Sequence, residues 1–348
     1  MHYFDYSFLD KGLLPAALLN ITAEIYSIRA LSWDRKEQFT DIFTELESVA
    51  RIQSVRSSNE IEGIVTTDDR IAQIVGGNST PLNHNEQEIA GYRDALAQVH
   101  TGFSDIEFGE SDILRLHAIM MNIAGYSYAG KYKSVNNNII EEDKNGRRRI
   151  RFTPVSAAET PETMRQLVLA YQVARDDPNI NQLLLIPCVI LDFLCIHPFR
   201  DGNGRISRLL SLLLLYKNGF DAGKYISFEE QINLRKGNYY ESLWQSSHGW
   251  HENENDYSAF IMEFVTTLYM CYKELDKRFA VVGSKKITKK ARIEATVLNS
   301  LTPVSKAEIG KILPDVSATT IEAVLGEMVR SGYVRKIGSG RATRYIKA

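Results

Sequence analysis

Apolar residues recur at spacings of three and four through most of the first 75 positions, in "LLPAALLNITAEIYSIRAL" and "KEQFTDIFTELESVARIQSVRSSNEIEGI", the period of amphipathic helices. "VGGNSTPLNHNE" breaks the pattern with Gly, Asn and Pro, and helices are predicted to resume from about Glu86 and from about Ser111, with Ser111 as N-cap. The period changes in "YAGKYKSVNNNIIEEDKNGRRRIRFTPV", where β-branched and aromatic residues flank Asp143-Lys144-Asn145-Gly146. The Asn-Gly pair signals a tight turn, so a β-hairpin is predicted between helices. Helical spacing then returns in "PETMRQLVLAYQVARD", in an apolar helix from about Pro187, in "RISRLLSLLLLYKNG" ending near Gly219, and in stretches from about Phe228 and about Asp256.

"AVVGSKKITKK" reads as a linker, after which the pattern restarts in shorter units. "KKARIEATVLNSL", "SKAEIGKIL", "SATTIEAVLGEMVRSG" and "YVRKIGSGRATRYIKA" read as helix, helix, helix and hairpin, the order of a winged helix-turn-helix, with Ser317 as a cap and Gly338-Ser339-Gly340 as the wing turn. Charge supports a separate module. From Lys285 onward there are 13 Lys and Arg against 5 Asp and Glu, whereas the preceding residues hold 28 against 38. The expected division is an N-terminal helical region over 1–110, a central core over 111–280 and the winged helix over 286–348. Its third helix exposes Thr319, Thr320, Glu322 and Glu327 with only Arg330 near its end, a weak base-reading set, although Arg341 and Arg344 on the wing suit phosphates. DNA binding and protein docking are therefore equally supported for this module.

With 348 residues, 44% of them apolar and 24% charged, the composition is that of a soluble globular protein. Apolar runs fall far short of the roughly 18 to 20 residues that cross a bilayer, and the acidic N-terminus lacks the form of a signal peptide, so a cytoplasmic protein with no membrane partner is expected. Cys188, Cys195 and Cys271 show no CxxC pairing and read as small buried hydrophobes.

The chemistry concentrates in "HPFRDGNGRISR", residues 197–208, directly after the apolar helix. His197 would sit at that helix's C-terminal end. Gly202 and Gly204 free the backbone for close approach to a ligand, and the next helix begins there with unpaired N–H groups, a ready anion site. Arg205 and Arg208, three apart, share a helix face and can reach outward to phosphate oxygens. Asp201 would be one anion among phosphates unless a cation separated them, which a Mg²⁺ held by one carboxylate plus phosphate oxygens would do. His197 is suited to take a proton near neutral pH. His117 reads as a hydrogen-bonded core histidine, and "NGRRRIR" as a solvated hairpin.

This motif resembles the signature of Fic-domain proteins, and the resemblance extends over roughly residues 1–280 through the preceding hairpin and the later Tyr239-Tyr240 pair. It implies a mainly α Fic-type bundle with a β-hairpin flap, about Tyr132 to Phe152, that aligns a target segment by strand pairing. The implied activity is transfer of AMP from ATP to a Ser, Thr or Tyr hydroxyl of a target protein, releasing pyrophosphate. The implied roles are His197 as general base, Asp201 as Mg²⁺ ligand, Gly202, Asn203 and Gly204 as anion cradle, Arg205 and Arg208 on the β and γ phosphates, Phe199 as buried anchor, and Tyr240 against the adenine. Where the family places an amide seven residues after that tyrosine, this chain has Ser247. "SNEIEG", residues 58–63, is similar to the family's inhibitory pattern. It implies that Glu62 pairs with Arg208 within the chain, removing that arginine from the γ-phosphate; on a helix Ser58 lies four residues earlier on the same face, where its hydroxyl can hold the helix end or its backbone neighbours in place. Frequent dimerisation in the family makes a homodimer one expected assembly. Two other functions fit the motif set: removal of AMP or another nucleotidyl or phosphoryl transfer by the same loop, and a DNA-binding regulator whose Fic part senses nucleotide.

Overall fold

Helix α7 (Gln182–Ile196) forms the centre of the molecule: every residue of it except Gln182 and Leu194 is buried. The computed structural model describes residues 2–11, 15–77, 79–142, 148–283, 288–298, 300, 303–340 and 343–348. Before α7 come α1 (Ala16–Gln38), α2 (Thr40–Ile61), α3 (Asp68–Val75), α4 (His84–Gly102), α5 (Glu110–Asn122), the strands β1 (Ile139–Glu142) and β2 (Arg148–Phe152), and α6 (Thr160–Asp176). After it come α8 (Asn203–Lys217), α9 (Phe228–Leu234), α10 (Lys236–Ser247) and α11 (Ser258–Gly283). Helices α6, α8, α10 and α11 pack around α7. One core runs from Phe4 to Phe279, so both sides of the expected boundary at residue 110 feed the same interior. Gly91 lets the α4 backbone approach the Met120 carbonyl of α5, where any Cβ would collide.

Two helix starts differ from expectation. Helix α7 begins at Gln182, because Asn181 Oδ1 accepts from the Leu183 N–H at 2.9 Å. Pro187 thus lies inside the helix and leaves one carbonyl a turn earlier without its intrahelical donor. Helix α5 is preceded by extended Gly109 and has no side-chain cap; Ser111 lies in its first turn, while Asp112 accepts from the Glu107 N–H at 2.8 Å. The stretch from Phe228 is divided at Arg235 into α9 and α10.

The hairpin is antiparallel, with Ile140 opposite Ile150 and a register irregularity between Ile139 and Ile140. Its turn, Asp143–Gly146, lies outside the described residues. Ile140 and Ile150 are both more than half exposed, so the ladder presents apolar side chains to solvent beside α10. Asp192, in the middle of α7, accepts from Tyr6 Oη at 2.7 Å, Trp250 Nε1 at 2.7 Å and Tyr257 Oη at 2.9 Å, which ties the N-terminal segment and the loop after α10 to the site helix. Burial pushes its carboxyl up to about 7.

Beyond α11, the helices α12 (Lys289–Leu298), α13 (Lys306–Ile312) and α14 (Ala318–Arg330) lead into an antiparallel hairpin of β3 (Val334–Ile337) and β4 (Arg344–Lys347), the element order of a winged helix. They enclose a smaller core that includes Ile293, Ile309, Ile321, Leu325 and Tyr345, and Ile312 touches both cores. Ser317 accepts from the Thr320 N–H, and Gly338 and Gly340, which follow β3, take φ of +73° and +59°. Arg344 donates to the Pro303 carbonyl at 2.9 Å and to Glu308, so its guanidinium is already engaged; Arg341 lies outside the described residues, as do 284–287 of the expected linker, whose first four residues instead extend α11 and whose last two begin α12. Among the described residues, no helix is long and apolar enough to cross a membrane.

Candidate active site

His197 occupies the C-cap of α7 with φ 53° and ψ 60°, a left-handed conformation more usual for glycine. Its N–H bonds back to the Phe193 carbonyl at 2.9 Å, and its ring Nδ1 lies 3.3 Å from the Leu194 carbonyl. Because a carbonyl only accepts, Nδ1 carries the proton and Nε2 keeps its lone pair. Burial, with Lys133 adding to it, lowers the pKa to about 4, so the imidazole is neutral at pH 7. The side chain that the sequence nominates as a base is thus in the protonation state and tautomer a base requires.

From Pro198 the chain turns into α8. Phe199 is fully buried and stacks on His117 at 3.8 Å with an interplanar angle of 3°. His117 receives the Gly130 N–H on Nδ1 at 2.9 Å, so its Nε2 carries the proton and donates to the Asp201 carbonyl at 3.1 Å. It is the hydrogen-bonded core histidine expected, and it also buttresses the loop. Gly202 takes φ 80° as the N-cap of α8, and a Cβ there would meet Met120. Asp201 Oδ1 accepts from the Gly202 N–H at 2.6 Å, while the side chain as a whole stays 55% exposed. The Asn203 side chain is buried and clamps Phe199, accepting from its N–H at 2.9 Å and donating to its carbonyl at 2.8 Å. An anion at this turn would therefore meet main-chain N–H groups of the first turn of α8 rather than the asparagine amide.

Arg205 and Arg208 are both buried and paired rather than reaching outward, while Arg200 of the same motif is exposed. Arg208 Nη2 donates to Glu62 Oε1 at 2.8 Å and to the Ser58 carbonyl at 2.9 Å, and its Nε donates to Ser58 Oγ at 2.8 Å. The Ser58 hydroxyl thus binds the arginine directly instead of holding its own helix end. Glu62 is the C-cap of α2, followed by Gly63 at φ 78°. Burial alone would raise its pKa; attraction to Arg208 and their hydrogen bond outweigh that, with Arg205 and Lys236 assisting, and hold the carboxyl below its ordinary value. Burial likewise works against the Arg208 charge, and Glu62, with Tyr239 and Tyr92, more than offsets it. A Cβ on Gly204 would strike the Glu62 carboxylate, so this close approach requires the glycine. Arg205 instead forms an ion pair with Glu88 of α4 at 2.7 Å, with Asp201 behind it at 4.0 Å, and Glu88 also accepts from Tyr126 Oη at 3.0 Å. Sequence reasoning missed Glu88. The available signal was a carboxylate on the apolar stripe of α4, four residues before the buried Tyr92.

His197, Gly204, Arg208 and Glu62 face a cavity of about 560 Å³ that extends between α10 and the hairpin, past Ile140, Tyr240, Trp244 and Ser247. Tyr240 is half-buried and meets Tyr239 edge-on at 5.7 Å, while Arg151 of β2 donates to its carbonyl. The arrangement joins an apolar slot, a helix N-terminus and a neutral imidazole at one mouth, with an exposed carboxylate one turn away. Residues 107–215 match the model of the Fic/DOC family.

The chain carries a Fic domain. Over 213 residues it is 28% identical to the protein adenylyltransferase Fic of Nematostella vectensis, a match covering 58% of this chain and 44% of that protein. A Fido domain-containing protein of Dictyostelium discoideum is 29% identical over 133 residues, 38% of this chain and 86% of its own length. The chain thus spans less than half of the Nematostella relative. In fold it is similar to a Fic family protein from Desulfovibrio desulfuricans G20, with a TM-score of 0.63 at 20% identity across 97% of both chains. The helical architecture is therefore that of Fic proteins.

Proposed function

We propose that this chain is an autoinhibited protein adenylyltransferase that moves AMP from ATP to a hydroxyl side chain of a target protein. One observation carries the proposal: Glu62 and Ser58 occupy all three hydrogen-bonding directions of Arg208 observed, at the edge of the cavity that His197 faces. A buried guanidinium one turn into a helix is suited to a phosphate at that helix's N-terminus, and here a carboxylate from the end of a neighbouring helix stands in its place.

In the proposed reaction the target hydroxyl attacks the α-phosphorus of ATP. The new O–P bond forms as the bond to the bridging oxygen breaks, pyrophosphate leaves, and the hydroxyl proton passes to His197 Nε2. The Leu194 carbonyl keeps the opposite ring nitrogen protonated and aimed. The main-chain N–H groups at the start of α8 receive phosphate oxygens, Tyr240 and its neighbours bound the base, and the hairpin's exposed ladder receives the target segment. Asp201 fits a Mg²⁺ that arrives with the triphosphate, since it is a single exposed carboxylate with one oxygen not engaged by a main-chain donor. Such an ion would supply charge neutralisation on the phosphates. Most of the rate gain would come from positioning and preorganised charge, with one proton transfer to the base.

The test is incubation of cell lysate with α-labelled ATP, Mg²⁺ and the purified chain. Weak labelling by the parent, strong labelling by Glu62→Gly and none by Glu62→Gly/His197→Ala are expected. Absence of any labelled protein with Glu62→Gly would sink the proposal, and equal labelling from γ-labelled ATP would redirect it to phosphoryl transfer.

A further inference from the structure

The turn that carries His197 is fastened by a segment outside the motif. Residues 133–137, which lead into β1, bond to it repeatedly. The Lys133 N–H donates to the Pro198 carbonyl at 2.9 Å, Lys133 Nζ donates to the Ile196 carbonyl at 3.1 Å, and Asn137 Nδ2 donates to the Phe199 carbonyl at 3.2 Å. Lys133 Nζ also donates to Asn137 Oδ1 at 3.0 Å, which links the two side chains. Lys133 is only 5% exposed. Its ammonium sits at the C-terminal end of α7, where the last carbonyls lack intrahelical donors and the helix dipole is negative. Next to it His197 holds a left-handed backbone conformation that a residue with a Cβ adopts only when its surroundings enforce it.

We propose that Lys133 is a positioning residue for the transfer reaction: it locks the left-handed turn of His197 to the root of the hairpin, so that the base and the strand receiving the target keep one fixed geometry. This rests on the adenylyltransferase reading for its functional meaning. The same ammonium acts on the imidazole by charge. The groups that bear on His197 are Lys133 from the hairpin root, which disfavours the imidazolium, and Glu62 from α2 and Asp201 from the loop, which favour it; burial is the largest influence. Burial brings Lys133 itself down to about 8.

The experiment uses the full chain in the Glu62→Gly background, with Lys133→Met, Lys133→Arg and Asn137→Ala. AMP transfer is measured from pH 5.5 to 9.5 with kcat and the KM for ATP separated. The titration of His197 is followed by NMR of ε1-¹³C-histidine in the metal-free, nucleotide-free protein, its signal assigned by loss in His197→Ala. Lys133→Met is expected to lose about 10- to 100-fold in kcat with the KM for ATP changed less than about twofold, because the phosphate turn is untouched. The His197 midpoint should rise by roughly half a unit or more. Lys133→Arg should restore part of kcat and remove an alkaline limb near pH 8 that the lysine imposes. Where Lys133→Met folds poorly by thermal melting, Asn137→Ala, with a smaller loss of kcat, decides the clamp. Parental kcat, pH profile and His197 midpoint in Lys133→Met, or in Asn137→Ala and Lys133→Arg together, would overturn the proposal. If Glu62→Gly transfers nothing, the adenylyltransferase reading fails, while the His197 midpoint still decides what Lys133 does.

Discussion

Replacing Glu62 by Gln keeps its size and removes its charge, which isolates what the carboxylate does to Arg208. Arg208 exchanges its charged carboxylate acceptor at 2.8 Å for a neutral amide oxygen and retains the two bonds to Ser58. A hydrogen bond between charged groups contributes about 1.5–3 kcal/mol, and since the Glu62 side chain is 32% exposed, roughly 2 kcal/mol is a fair figure after solvent screening. Two consequences follow from that magnitude. Without ligand the variant should melt about 3 °C lower, taking an unfolding entropy of roughly 2.1 cal/mol/K per residue over the larger core. With ATP and Mg²⁺ the variant should be stabilised more than the parent, because its arginine has less to give up, and transfer should rise about 30-fold, the equivalent of that same 2 kcal/mol. Differential scanning fluorimetry with and without nucleotide, alongside α-labelled ATP incorporation, measures both. A Glu62→Gln protein with the parental melting point, nucleotide shift and labelling would refute the idea that Glu62 restrains Arg208.

His197→Ala in the Glu62→Gly background should reduce transfer by about 10²- to 10⁴-fold while nucleotide still shifts the melting temperature, which separates base catalysis from binding. Asn203→Ala leaves the buried Phe199 N–H without its partner, while the Phe199 carbonyl keeps Asn137, and should destabilise the protein by about 2 kcal/mol, read from denaturant midpoints. Stability should also fall with acid: His2, His117 and His197 are lowered to about 4 and His100 to about 3, all by burial first, so the unfolded chain binds protons below about pH 6.5 that the folded chain refuses. Asp192, raised to about 7 by burial, acts in the opposite sense, and the remainder should lower stability by on the order of 4 kcal/mol between pH 6.5 and 5, measured by urea unfolding at the two pH values.

The helical order was legible because its signals are local: periodicity places α4 and α8 within a few residues, and Ser317 caps the third helix of the C-terminal module where the pattern begins. Pro187 misled because an asparagine cap six residues earlier outweighs one lost hydrogen bond in an almost wholly buried helix. At the site, twelve contiguous residues announced the base, the turn and both arginines. Their partners were harder to read, because each depends on which distant element the fold brings near. Glu62 was found through a second short pattern, whereas Glu88 and Lys133 belong to no contiguous motif and reach the loop only by tertiary packing.

The two arginines meet the same physical demand by different means, and the difference bears on which one a nucleotide could recruit. A guanidinium this buried requires a carboxylate, since an unpaired buried charge is destabilising by several kcal/mol. Arg205 is charge-paired with Glu88, a residue on the interior face of α4 that also accepts from the Tyr126 hydroxyl; Arg205 Nη1 and Glu88 Oε2 lie close without an aligned hydrogen bond, and neither side chain has solvent to move into. Arg208 is satisfied by Glu62, which sits on the last turn of a helix, a third exposed, before a glycine in the left-handed region. Displacing Glu88 would bury a second unpaired charge; displacing Glu62 lets that carboxylate return to water. On the proposed function, then, the triphosphate exchanges for Glu62 at Arg208, while Arg205 stays with Glu88 and acts through its charge behind Asp201. Glu88→Gln should accordingly destabilise the fold with and without nucleotide, where Glu62→Gln is compensated by it.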